Sequence, residues 1–150
     1  MPKIAVIFGS KSDVEVLKDE IAVLDELGLD HSLDIISAHR HPEKLRAWCL
    51  GLNKKGVKVV IAGAGMAAAL PGFVASYTDL PVIGTALKGG MMDGLDAVMS
   101  MVSVPKGLGV CCAGLGKSGF INAVILAMEI LAVADKKHKT KLGLLKAKYR

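Results

Sequence analysis

Apolar positions along this chain fall into short unbroken runs separated by longer stretches with helical spacing. The runs are KIAVIF (3–8), SLDII (32–36), VKVVIA (57–62), PVIGT (81–85) and LGVCCA (108–113). Most are rich in branched residues and show little polar alternation, which suits parallel strands buried on both faces. Between them, residues 13–27 place Val16, Ile21, Leu24 and Leu27 on one side of a helix that closes at Gly28. Residues 42–55 open with Pro42 at a first helical position and end near Gly56. Residues 70–77, 93–102 and 119–135 complete the helices.

Alternation of strand and helix predicts a parallel sheet with right-handed crossovers and helices on both faces. The expected fold is a single-domain α/β/α sandwich over residues 1–150, with a flavodoxin-like sheet of about five strands in the order 2-1-3-4-5. Ligands in such sheets bind beyond the carboxyl ends of the strands, where the strand order reverses. Attention therefore falls on the loops after the first three strands: GSKSD (9–13), SAHRHP (37–42) and GAGMAAALPG (63–72).

Hydrophobic residues make up 52% and aromatics 4% of the chain, more apolar surface than one small domain ordinarily needs, so an oligomer is expected. The net charge of +5 is concentrated at the end: residues 136–150 hold seven Lys/Arg and no acid, leaving twelve bases against fourteen acids elsewhere. A nucleic-acid face is thus not a property of the domain body. The tail spaces Leu142, Leu145 and Tyr149 as one helical stripe, expected to dock on its own or a neighbouring subunit. The apolar stretch 121–134 contains Glu129 and falls short of a membrane span. Cys49, Cys111 and Cys112 form no CxxC pair; the adjacent two read as packing residues, and a reduced, cytoplasmic protein is expected.

The loops carry the chemistry. GSKSD follows a strand and opens a helix: Gly9 permits a tight turn, and the helix start offers backbone N–H groups to an anion. Ser12 and Glu15 also read as a capping box, which would explain Ser12 without a ligand. SAHRHP adds Arg40, suited to a phosphate, and His39 and His41, each able to move a proton near neutral pH. No Cys, Asp or Glu lies at metal-ligand spacing from these histidines. GAGMAA imitates a dinucleotide fingerprint, but the acid expected about twenty residues on is missing. GLGKSG (114–119) imitates a P-loop, but Cys111 stands where its first glycine belongs. Both glycine-rich loops are expected to let backbone approach a ligand or a neighbouring chain.

In order along the chain, GSKSD, SAHR (37–40), AGAGMAAALPG (62–72) and LPVIG (80–84) resemble the N5-carboxyaminoimidazole ribonucleotide mutase family of purine biosynthesis. So do GLDAVMSMVSVPKG (94–107) and NAVILAMEIL (122–131). The resemblance spans residues 3 to 135. It implies a homo-octamer, without metal or other cofactor, that moves a carboxyl group from the exocyclic nitrogen of a ribonucleotide to carbon 4 of its imidazole. It further implies that Ser10, Ser12, Asp13, Ser37 and Arg40 hold the ribose phosphate end, with Gly9 and Ala38 beside them. The Gly63–Gly72 loop, through Gly63, Ala64, Gly65, Met66 and Leu70, would line a CO2 pocket. His39 matches the catalytic histidine, whereas His41 stands where the family usually has threonine. Two departures are visible: Ala69 replaces the histidine of the usual AAHLPG, and Met66 stands where glycine is common. They keep open a carboxylase using free CO2, or a non-catalytic ribonucleotide-binding paralogue, beside the mutase. The partner implied is a small ribonucleotide, neither nucleic acid nor membrane.

Overall fold

The computed structural model describes Met1 and residues 3–150. Its strands are β1 (Ile4–Phe8), β2 (His31–Ile35), β3 (Val59–Ala64), β4 (Val82–Ala86) and β5 (Val110–Leu115). They pair in parallel in the order β2-β1-β3-β4-β5, as the alternation predicts. The helices are α1 (Lys11–Val16), α2 (Lys18–Glu26), α3 (Pro42–Gly51), α4 (Ala69–Tyr77), α5 (Leu95–Val102), α6 (Gly116–Ala134) and α7 (His138–Lys148).

Side chains of β1 explain the two-faced core. Ile4, Val6 and Phe8 pack with Leu24 of α2, Phe120 and Val124 of α6, and Leu145 of α7. Ala5 and Ile7 point the other way, towards Leu45 and Trp48 of α3, Val74 of α4 and Met101 of α5. A central strand with both faces covered can carry no polar alternation. The edge strands differ: β2 is half-exposed along its length, and so is β5. Cys111 is accordingly exposed and Cys112 only partly covered, not the packing pair expected from sequence. Cys49 is buried, and burial pushes its thiol up to about 11.

Several boundaries move for identifiable reasons. The helix expected over 13–27 is two helices joined at Leu17, whose backbone leaves the helical region (φ −106°, ψ 14°). Leu17 is fully buried, whereas α1 buries none of its residues. The break lets Leu17 reach the core while α1 leans out over the sheet edge. At the far end Gly28, at φ +56°, closes α2 with its N–H on the Asp25 carbonyl. Strand β5 ends at Leu115, two residues beyond the expected 113, and α6 follows at once.

With 19 residues, α6 is long and apolar enough to cross a membrane by length and composition alone. Here Phe120, Val124, Ala127 and Met128 are buried against the sheet. Its Glu129 pairs with Lys146 of α7. The GLGKSG turn also has an internal role. A Cβ on Gly119 would lie 2.3 Å from the Gly114 carbonyl carbon, so the close approach is between β5 and α6 of the same chain rather than to a ligand.

The basic tail docks on its own chain. Leu145 is completely buried with the α2–α6 layer, Lys148 pairs with Glu26, and Lys141 donates to the Gly28 carbonyl. Tyr149, expected in the same stripe, caps the helix and remains half-exposed.

Register fixes where the site can form. Phe8 is level with Ile35 on one side and Gly63 on the other, and Gly63 is level with Thr85. The carboxyl ends of β1 to β4 therefore meet at one edge. A Cβ on Gly63 would lie 2.3 Å from the Phe8 ring, so only glycine lets that ring lie flat beside β3. Gly9 differs: its φ lies outside the left-handed region, and a Cβ there would meet only Asp13 Oδ2, at 3.8 Å. The tight turn anticipated at Gly9 does not itself demand glycine. Gly63→Ala should thus destabilise the fold by roughly 1–3 kcal/mol, whereas Gly9→Ala should stay within about 0.5 kcal/mol. Urea unfolding midpoints of the two variants distinguish these outcomes.

Candidate active site

Four loops converge at the carboxyl edge. In the first, Ser10 is the N-cap of α1, with extended backbone (φ −149°, ψ 161°). Its Oγ accepts from the Asp13 N–H at 3.3 Å and lies 2.8 Å from Ser12 Oγ. The capping role anticipated for Ser12 thus belongs to Ser10, leaving the Ser12 hydroxyl exposed at the rim. Burial raises the Asp13 carboxyl above its ordinary 3.8, and the Ser10 side chain and backbone N–H partly offset this.

The second loop is folded on Ser37. Its Oγ accepts from the Arg40 N–H at 3.3 Å, and its carbonyl accepts from the His41 N–H at 2.9 Å. These two bonds hold a turn from which His39 and Arg40 extend, both exposed. His41 is the N-cap residue of α3 ahead of Pro42, and its ring makes no capping bond.

The third loop leaves β3 at Ala64 and reaches α4 in four residues. Ala68 donates to the Gly65 carbonyl at 2.9 Å. Met66 (φ 52°) and Ala68 (φ 41°) both adopt left-handed backbone. For a side chain this costs roughly 1–2 kcal/mol per residue, a cost that glycine at position 66 would avoid. The strain turns the chain sharply and leaves Ala69 and Leu70 to begin α4.

Together these segments enclose a cleft of about 590 Å³. Gly9, Ser10, Ser12, Asp13, Ser37, Ala38, His39, Arg40, Ala64, Gly65, Met66 and Leu70 all line it. Gly63 does not; it is buried beside Phe8, a packing residue rather than a ligand-facing one. Neither Lys11 nor His41 contributes to the lining. The sequence reading stopped at three loops and so missed a fourth, in which Lys88, Gly89 and Gly90 follow β4 and close one wall. A Gly-Gly pair directly after a predicted strand, on the same edge, was the available signal. Among the described residues, no three His, Cys, Asp or Glu side chains cluster as metal ligands.

The cleft is therefore a basic, hydroxyl-lined trough with one carboxylate. It offers anion contacts at Arg40 and Ser12, a proton carrier at His39, and small apolar surface at Ala64–Leu70. The raised Asp13 carboxyl gives a pH test of sign. A folded-state value above the unfolded one means stability falls as pH rises through that interval, and the deficit persists above it. Asp13→Asn keeps an acceptor for Ser10 and should raise the melting temperature at about pH 7. The gain should vanish near pH 3, where both states of the native carboxyl are protonated.

The AIR carboxylase family model matches residues 3–150. The N5-carboxyaminoimidazole ribonucleotide mutase of Pyrococcus abyssi is 42% identical over 142 residues, 95% of this chain and 80% of that protein. The Haemophilus influenzae mutase is 44% identical over 133 residues, 89% of this chain and 81% of its own. The phosphoribosylaminoimidazole carboxylase of Saccharomyces cerevisiae is 41% identical over 94% of this chain, which spans 24% of that longer protein. The crystal structure of Treponema denticola PurE superposes with a TM-score of 0.78 at 23% identity, covering 99% of this chain and 92% of its own. A match along essentially its whole length, with the cleft built from the loops that carry the family's motifs, makes this chain a member of the AIR carboxylase family.

Proposed function

We propose that the protein is an N5-carboxyaminoimidazole ribonucleotide mutase of purine biosynthesis. The observation that carries this reading is the convergence of Ser10, Ser12, Arg40 and His39 on one cleft whose Ala64–Leu70 wall is apolar. Mutases 42% and 44% identical to it support the assignment. Arg40 and the serine hydroxyls take the 5′-phosphate, since a guanidinium and neutral donors suit a dianion. Asp13 would repel a phosphate and belongs against the ribose hydroxyls instead.

The chemistry follows from the substrate. The N–C bond of the carbamate breaks, its electron pair returns to nitrogen, and CO2 is released into the trough. Carbon 4, made nucleophilic by the neighbouring amino group, attacks that CO2 and forms the new C–C bond. Holding CO2 above the ring turns a bimolecular capture into an effectively intramolecular one. The proton on carbon 4 then passes to His39, which returns one to nitrogen as the ring regains aromaticity. Gly65, Met66 and Leu70 shape the CO2 space with backbone and aliphatic groups.

The carboxylase of yeast, 41% identical, supports a second reading, in which the same cleft captures free CO2. Ala69 favours that reading, because its methyl replaces the imidazole usual in the family's AAHLPG motif. Turnover of the carbamate substrate, compared with aminoimidazole ribonucleotide plus bicarbonate, separates the two. His39→Asn should retain ribonucleotide binding and lose roughly 10²–10⁴-fold in turnover. Arg40→Ala should weaken binding first, and His41→Thr should be mild in both. Equal damage from His41→Thr and His39→Asn would overturn the residue assignment.

We further propose a cytoplasmic homo-octamer. Beside the cleft lies an apolar groove of about 260 Å³ between α4 and α5, lined by Phe73, Val104, Pro105 and Leu108. Met99 and Val102 of α5 also stand more than half-exposed. Apolar surface of that extent is ordinarily covered by another chain. Light scattering at micromolar concentration should return the octamer, and a monomer would refute it.

A further inference from the structure

We infer that Lys88 recognises the migrating carboxylate, and so sets the preference of the cleft for carboxylated over uncarboxylated ribonucleotide. The inference rests on the mutase reading above and assigns a residue to the end of the substrate that the serines and Arg40 do not reach.

Position comes first. Lys88 lies two residues beyond the end of β4, while Arg40 lies beyond β2. In the order β2-β1-β3-β4 these ends are three strand spacings apart, roughly 14 Å at about 4.8 Å per strand. Both residues line the same cleft. With the phosphate at Arg40 and the ribose against Asp13, the imidazole ring extends across β3 towards Lys88. The two cations thus bracket a ligand that is anionic at both ends.

Charge comes second. Every other residue on the Lys88 side of the cleft is small or apolar: Gly65, Met66, Ala67, Ala68, Ala69, Leu70, Gly89 and Gly90. None offers a side chain to an anion. Lys88 is exposed and belongs to none of the ion pairs among the described residues. Asp96 packs beneath Gly90, where a Cβ on that glycine would lie 2.4 Å from its Oδ2. The ammonium is therefore free to serve a ligand.

Backbone comes third. Gly89 (φ 116°) and Gly90 (φ 72°) take conformations that side chains rarely adopt, and a Cβ at Gly90 would also crowd the Met66 Cα at 3.3 Å. The Lys88 segment thus packs directly against the Met66 turn. Leu87 donates to the Ala64 carbonyl at 3.0 Å, anchoring the loop to β3 just before Lys88. A flexible cation on an anchored base can follow a carboxylate from the exocyclic nitrogen to the adjacent ring carbon.

The test is calorimetric titration of the full-length protein with two ribonucleotides. One is 4-carboxy-5-aminoimidazole ribonucleotide and the other is its decarboxylated counterpart, aminoimidazole ribonucleotide. Lys88→Met should weaken the carboxylated ligand by roughly 10–100-fold, the range of a charge-assisted contact. It should leave the decarboxylated ligand within about twofold, and Lys88→Arg should recover most of the loss. Equal weakening of both ligands would place Lys88 on the phosphate, and no weakening of either would remove it from the site. Both results overturn the inference while leaving the mutase reading intact. If the unmodified protein bound neither ribonucleotide, the mutase reading itself would fail, and the assignment with it.

Discussion

The contact between Phe8 and Gly63 sets the rest of the molecule in place. Phe8 ends β1 at the switch point, its ring lying where any side chain on β3 would sit. It also meets Phe120 of α6 at a centroid distance of 5.9 Å, tying the strand end to the longest helix. Because Phe8 is level with Ile35, Gly63 and, through it, Thr85, this one packing event aligns four strand ends. Loops that leave an aligned edge must share one space, and the cleft is that space.

Within the cleft, backbone and side chain have separate duties. Ser10 and Ser37 each accept a backbone N–H from three residues downstream and so fix the turns that carry Ser12, His39 and Arg40. Arg40 takes no part in the ion pairs among the described residues, whereas the Ser12 hydroxyl is held by Ser10. Among the residues lining the cleft, left-handed non-glycine backbone falls at Met66 and Ala68, where it turns the chain into α4. Positive charge is placed at the two ends, with Arg40 beyond β2 and Lys88 beyond β4, and serine hydroxyls and the Asp13 carboxyl lie between them.

The layer formed by α2, α6 and α7 holds none of the cleft residues and serves stability. The tail helix looks like a nucleic-acid arm by composition, yet three of its lysines are engaged by Gly28, Glu129 and Glu26. These partners lie on α2, α6 and the turn between α2 and β2, so the positive tail closes over acidic groups of its own domain. Exposed pairs of this kind contribute little individually; the buried Leu145 side chain holds the helix down.

The alternation of elements is legible in local periodicity, the strand order only as the commonest for such a sheet, and the anticipated cleft residues, all but Gly63 of which line the cleft, come from the strand-ending loops and the family motifs they carry. Unbroken apolar runs suit buried parallel strands, and a β-strand followed by GSKSD or SAHR places those residues at a carboxyl edge. Only the tertiary structure decided the rest. Gly63 reads as one more loop glycine until Phe8 is seen to occupy its side-chain space, a contact between residues 55 positions apart. Ser12 reads as a cap until α1 proves to start at Lys11, with the Ser10 hydroxyl accepting from the Asp13 N–H. Cys111 reads as core until β5 proves to be an edge. Lys88 is marked locally only by the Gly89–Gly90 pair beside it; it becomes part of the site because β4 pairs beside β3, and pairing between distant segments is what a linear pattern does not contain.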